Sequence, residues 1–133
     1  MEKQLILSLI CIILTITSCI QNAGKCSGQF KTVNAENFRK TIESGNIQIL
    51  DVRTDSEYYD GHLKNALLID IKEDSFLNAA KTKLDPAKTV AIYCRSGRRS
   101  AHAASVLSEE GFNVVNLDGG IIQWQETGGI VEK

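Results

Sequence analysis

The feature that most restricts this chain is a short apolar run, Thr89-Val90-Ala91-Ile92-Tyr93, that empties without a spacer into Cys94-Arg95-Ser96-Gly97-Arg98-Arg99-Ser100 and then into helical sequence. A β-rich run, a glycine-bearing loop and a helix in direct succession form one unit of a parallel α/β sheet. The rest of the chain repeats that alternation. Strand-like runs are expected at Ile47–Val52, Ala66–Ile69 and Asn113–Leu117, with an edge strand near Phe30–Val33. Helical segments are expected at Ala35–Glu43 behind an Asn34 cap, as a turn at Asp55–Tyr59, at Ser75–Lys83, and at Ser100–Glu110. The last of these places Ala103, Ala104 and Leu107 on one face and stops at Gly111, a helix breaker. A final short helix follows Gly119-Gly120 and carries Trp124 as a core residue. The pattern predicts an α/β, doubly wound domain with a mostly parallel sheet of about five strands flanked by helices.

Bulk properties remove several functional classes. With 15 Lys+Arg against 16 Asp+Glu and a net charge of -1, the 133-residue chain lacks the basic excess of a nucleic-acid binder. Four cysteines, at positions 11, 19, 26 and 94, form no C-x-x-C pair, and only 2 histidines accompany them. Neither a zinc site nor an organic cofactor is implied.

The N-terminal residues read as an address. The apolar run Leu5–Thr17 is shorter than the ~20 residues that span a bilayer and suits the core of a signal peptide. It ends in Ile16-Thr17-Ser18-Cys19, which resembles the lipobox of bacterial lipoprotein precursors. That resemblance implies a signal peptide over residues 1–18, lipid on Cys19, and export to a bacterial periplasm with anchoring in the inner or outer membrane. Ile20 after the cysteine is compatible with transport to the outer membrane. Residues 19–29, polar and glycine-containing, read as a tether, leaving 30–133 as the folded domain. Cys11 is then filler in the apolar run, and Cys26 an incidental thiol, although its tether would let it reach Cys94 as a redox partner.

The loop carries the chemistry. Ligands of open α/β sheets bind beyond the carboxyl ends of the strands, and helix N-termini offer free N–H groups. A thiol placed there, among three guanidinium groups, should ionise below the ~8.5 of a free cysteine. Gly97 lets the loop curl so that its N–H groups converge on an anion. Three arginines in five residues do not surround a core position, so Cys94 reads as a nucleophile for an anionic substrate.

Taken in order, Leu50-Asp51-Val52-Arg53, Glu57, Gly61-His62, the Cys94 loop, Gly111-Phe112 and Gly119-Gly120-Ile121 with Trp124 resemble the rhodanese family along residues 30–133. The resemblance implies a sulfurtransferase in which Cys94 takes sulfane sulfur from thiosulfate or a similar small anion. The persulfide then passes it to a thiophilic acceptor: cyanide, a small thiol or a protein thiol. By the same resemblance, backbone N–H groups of the loop, with Ser96, Gly97 and Ser100, hold the transferred sulfur, while Arg95, Arg98 and Arg99 bind the donor. Asp51, Arg53, Glu57 and His62 act in support. Arg53 is expected to pair with Glu57, Asp51 and His62 to hold loops, and His102 to lie on the surface. One departure stands out: where the family reads Pro-Gly-Ala after the glycine, histidine and apolar residue, this chain has Lys64-Asn65-Ala66, which is expected to loosen a turn.

Two rival functions stay open on sequence. Phosphatases of the same fold need Cys-x5-Arg, whereas here the sixth residue after Cys94 is Ser100 and the arginine comes one earlier, making a smaller loop. The other is a carrier or docking module that holds sulfur, or a partner, without turnover.

Overall fold

The computed structural model describes residues 29–133. The expected signal peptide, the expected lipidation site Cys19, Cys26 and the expected tether up to Gly28 lie outside the described residues. The strands are β1 (Lys31–Val33), β2 (Ile47–Asp51), β3 (Leu67–Leu68), β4 (Thr89–Tyr93) and β5 (Val114–Leu117). The helices are α1 (Ala35–Glu43), α2 (Asp55–Asp60), α3 (Phe76–Lys83), α4 (Arg98–Glu109) and α5 (Gly120–Glu126). All strand pairs are parallel, in the order β1-β5-β4-β2-β3.

That order sets the site. From β2 the chain winds toward β3, and from β4 it winds toward β5. The direction of winding therefore reverses between β2 and β4, and a crevice opens beyond their carboxyl ends. Asp51 ends β2 and Tyr93 ends β4, and the two are register partners. Both strands consequently deliver their next residues, Val52-Arg53 and Cys94-Arg95, to the same end of the sheet.

Alternation along the strands feeds two cores. Leu50, Val90, Ile92 and Val114 face α3 and α4, packing with Phe76, Ala80, Ala104 and Leu107. Ile49, Ala91, Tyr93 and Leu117 face α1 and α5, packing with Phe38, Ile121 and Trp124. A central strand covered on both faces must be apolar at every position, which is why TVAIY shows no polar alternation. No helix among the described residues is long and apolar enough to cross a membrane.

Two element boundaries differ from the sequence reading in ways that matter. The strand expected at Ala66–Ile69 lies at the sheet edge and shrinks to Leu67–Leu68, since it has one neighbour and leaves the sheet once Ile69 N–H has bonded the Asp51 carbonyl at 3.0 Å. The loop helix begins at Arg98 rather than Ser100, because Gly97, at φ 100°, turns the chain directly into it. The turn at Lys64-Asn65 is not loosened. Asn65 adopts φ 64°, a left-handed conformation that asparagine tolerates in place of glycine, and Ala66 N–H bonds the Leu63 carbonyl at 3.1 Å.

Phe38 is fully buried and meets Trp124 edge to face at 6.1 Å. Phe38→Ala is expected to cost about 3–5 kcal/mol, measured as a lower urea midpoint, because the two-helix face cannot collapse onto the void.

Candidate active site

Cys94 leaves β4 with its backbone held from below. Its carbonyl accepts Ile121 N–H at 2.9 Å, and that of Arg95 accepts Ile122 N–H at 3.3 Å, so the first turn of α5 carries the loop. The approach tolerates no side chain at the contact. A Cβ on Gly120 would strike the Arg95 carbonyl and lie 2.6 Å from the Cys94 carbonyl oxygen. Gly120 therefore belongs to the site's support, a role the sequence reading did not assign. The signal was two consecutive glycines opening a helix, where they weaken it unless something sits close.

From this platform the loop turns over the sulfur. Gly97 N–H points at Cys94 Sγ at 3.1 Å, and the Ser100 hydroxyl lies 3.3 Å from the same sulfur and 3.2 Å from the Gly97 carbonyl. A hydroxyl has one proton, so ionising the sulfur draws it from the carbonyl to the thiolate. Burial pushes the thiol up. The Ser100 hydroxyl and the N–H groups of Ser100, Gly97 and Ser96 outweigh that effect and hold Cys94 below the usual thiol range. The residue is only 1% exposed, so its sulfur forms the floor of the loop.

The helical turn that starts at Arg98 sends Arg98, Arg99 and Ser100, all expected to bind substrate, in different directions. Successive helix positions point in different directions. Ser100 faces inward and is buried, Arg98 is exposed, and Arg99 is directed to the side. There Arg99 Nη1 and Nη2 donate to Glu57 Oε2 and Oε1 at 2.8 and 2.7 Å, a bidentate pair between α4 and α2. Among the described residues Arg95 and Arg98, both exposed, make no ion pair. Two arginines at the positive end of a helix oppose its dipole, and such a local conflict is characteristic of a functional position.

The expected Arg53–Glu57 pair does not form. Arg53 is two residues beyond Asp51 on the same side of the extended chain, and its guanidinium turns back to Asp51: Nη2 donates to Oδ2 at 2.7 Å and Nε to Oδ1 at 2.9 Å. Arg53 Nη2 also bonds the Gly61 carbonyl, Tyr93 OH donates to Asp51 Oδ2 at 2.7 Å, and Leu63 N–H donates to Tyr93 OH at 3.0 Å. Asp51 is thus the buried hub that ties the exits of β2 and β4 to the Gly61–Leu63 loop. His62 lies in that loop, its ring stacked on Tyr58 at 3.8 Å and its Nδ1 2.9 Å from the Tyr58 carbonyl. Neither Asp51 nor His62 touches the sulfur. His102 is exposed, as expected, and among the described residues no cluster of His, Cys, Asp or Glu could hold a metal ion.

A family described as the rhodanese-like domain matches residues 34–127. The chain belongs to the rhodanese-like domain family. Similar proteins include a tRNA uridine(34) hydroxylase of Chlamydia abortus, 34% identical over 77% of this chain. This rhodanese-like chain covers 33% of that relative, about a third of its length. The putative sulfurtransferase YtwF of Bacillus subtilis is 30% identical, with 73% of this chain and 92% of the relative covered. Among solved structures, a rhodanese-related protein of Thermoplasma volcanium superposes with a TM-score of 0.68 at 34% identity, covering 77% of this chain and 98% of that one. The family match over residues 34–127 takes in β2 to β5, the Cys94 loop and α5.

Two outcomes follow from this geometry. Gly120→Ala is expected to lower the melting temperature, through about 1–2 kcal/mol of left-handed strain plus the collision with the Arg95 carbonyl, and to move the pH midpoint of Cys94 alkylation up toward ~8.5. The second concerns Glu57, whose bonds from Arg99 hold its carboxyl at about 2 against an ordinary 4.5. Because the folded value is depressed, this contribution to stability is complete above the ordinary value and fades as pH falls toward 2. The stability gap between wild type and Glu57→Gln, read from urea melts, is expected to be constant above pH 5 and to close below pH 4.

Proposed function

We propose that this chain is a sulfurtransferase that carries sulfane sulfur on Cys94, taking it from thiosulfate or a comparably small anionic donor. The observation that carries this reading is the surround of the sulfur: Gly97 N–H at 3.1 Å and the Ser100 hydroxyl at 3.3 Å, on a residue only 1% exposed. Such a cradle favours a thiolate over a thiol, and its donors suit a second sulfur bearing the same charge.

The steps balance as follows. The Cys94 thiolate attacks the outer sulfur of thiosulfate and a new S–S bond forms. The bond between that sulfur and the sulfonate sulfur breaks, and sulfite leaves with the electron pair. An acceptor nucleophile, such as cyanide or a thiolate, then attacks the outer sulfur of the persulfide, and the Cys94 thiolate departs with its electrons. Because Cys94 is the floor of the loop, a donor must present a slim sulfur end, and the persulfide extends the reactive atom outward by about 2 Å. The exposed guanidinium groups of Arg95 and Arg98 offer charge-assisted bonds to the sulfonate oxygens.

The same cradle disfavours phosphate-ester chemistry. Where a Cys-x5-Arg loop would carry its arginine, this chain has Ser100, with its hydroxyl on the nucleophile itself. The lipobox-like sequence ending in Cys19 supports placing the activity on an exported, lipid-anchored protein.

The deciding experiment measures thiocyanate formed from thiosulfate and cyanide by the full chain and by its Cys94→Ser variant. Turnover in the wild type that falls to background in the variant is the expected result. A folded, reduced wild type that forms no thiocyanate would refute thiosulfate as donor and favour a carrier that receives sulfur from a protein.

A further inference from the structure

Glu57 carries more bonds than a helix cap requires. It sits at the third position of α2, where it completes a capping box: Thr54 N–H donates to Oε2 at 3.1 Å and Glu57 N–H faces Thr54 Oγ1 at 3.4 Å. Thr54 Oγ1 lies 2.9 Å from the same Oε2. The carboxylate is therefore fixed by its own helix before any partner from elsewhere is considered. Onto this fixed anion Arg99 docks with both terminal nitrogens, from a position 42 residues away in sequence. Arg99 immediately precedes Ser100, whose hydroxyl addresses the Cys94 sulfur. The pair is three-quarters buried at both ends, enough to screen it less than a surface ion pair.

We propose that Glu57 is a positioning residue that sets the charge felt by Cys94: by binding Arg99 at both nitrogens, it cancels one of the loop's three cations and withholds it from the donor. The sulfonate is then left to Arg95 and Arg98, and the thiolate is held chiefly by N–H and O–H donors, with little help from a full charge. The consequence for specificity is a pocket with two available cations, matching a small dianion, where the bare sequence shows three. This extends the sulfurtransferase reading of the same loop, but it depends only on Cys94 being an ionisable thiol beside Arg99.

The proposal makes the two partners act with opposite sign. Glu57→Gln keeps the shape and the cap but frees the Arg99 charge, which stabilises the thiolate. Arg99→Gln removes the cation and leaves the Glu57 carboxylate unopposed, which destabilises it. The readout is the pH dependence of Cys94 alkylation by iodoacetamide in the full chain, with Cys11, Cys19 and Cys26 replaced by serine. Glu57→Gln is expected to lower the midpoint by about 0.5 pH unit and Arg99→Gln to raise it by about the same, with the double variant returning close to the parent. Arg99→Lys is expected to stay within about 0.2 unit of the parent, because it keeps the charge and loses only the bidentate geometry.

A merely structural strut would shift both single variants in the same direction and would not be rescued by lysine; either result, or no shift in either variant, overturns the proposal. If Glu57→Gln does not fold, the contrast between Arg99→Gln and Arg99→Lys decides alone. Alkylation needs no sulfur donor, so the outcome stands whether or not thiosulfate is turned over. In a chain that does turn over, Glu57→Gln is also expected to lower the KM for thiosulfate about threefold.

Discussion

Everything at the reactive end of this molecule depends on the contact between the backbone after β4 and the first turn of α5. Ile121 N–H holds the Cys94 carbonyl at 2.9 Å, and Gly120 lets the two backbones approach that closely. Without that footing, the carbonyls of Cys94 and Arg95 would be unpaired at the edge of a core, at a cost comparable to a lost hydrogen bond for each. With it, those carbonyls face down toward α5, while Gly97 N–H and the Ser100 hydroxyl are aimed at the sulfur. The polarity of the loop is thus decided by which of its groups the neighbouring helix has already satisfied.

A second constraint holds the frame that this loop hangs from. Asp51 is fully buried, and it is tolerable there because the backbone and side chain of Arg53 and the Tyr93 hydroxyl all donate to it. Burial, then the Asp51 charge, drive the Tyr93 phenol far above its usual range, so it stays protonated and keeps donating. Tyr93 is the residue before Cys94. The network therefore fixes the direction in which β4 ends, and through Arg53 and Leu63 it ties that end to the loop carrying His62. Asp51 and Arg53, which the sequence reading assigned to support, act at two removes from the sulfur, as scaffolding for the strand ends.

Ion pairing is where reading the chain in one dimension went astray. Arg53 and Glu57 are four residues apart and of opposite charge, and proximity in sequence made them partners. In space the extended chain at 51–53 returns Arg53 to Asp51, and the capping box at Thr54 turns Glu57 away toward Arg99. The same shift removed Arg99 from the set of free loop cations. Its cause was the start of α4, two residues earlier than the apolar periodicity suggested. The periodicity of Ala103, Ala104 and Leu107 reports the buried face of a helix, whereas the first turn is set by the left-handed Gly97, which no hydrophobic pattern records.

What the sequence determined by itself was the layout of the fold and the place of Cys94 at the end of β4. Strands buried on both faces must be continuously apolar, helices against them must be amphipathic, and a cysteine placed between such a strand and such a helix falls beyond the sheet's carboxyl edge. Those are local rules, readable from neighbours in the chain. The tertiary structure alone decided which charges cancel. Glu57 with Arg99, Asp51 with Arg53 and Tyr93, and Gly120 beneath Arg95 are contacts whose partners the fold selects. Coulomb attraction and hydrogen bonding fall off with distance in space and take no account of separation along the chain.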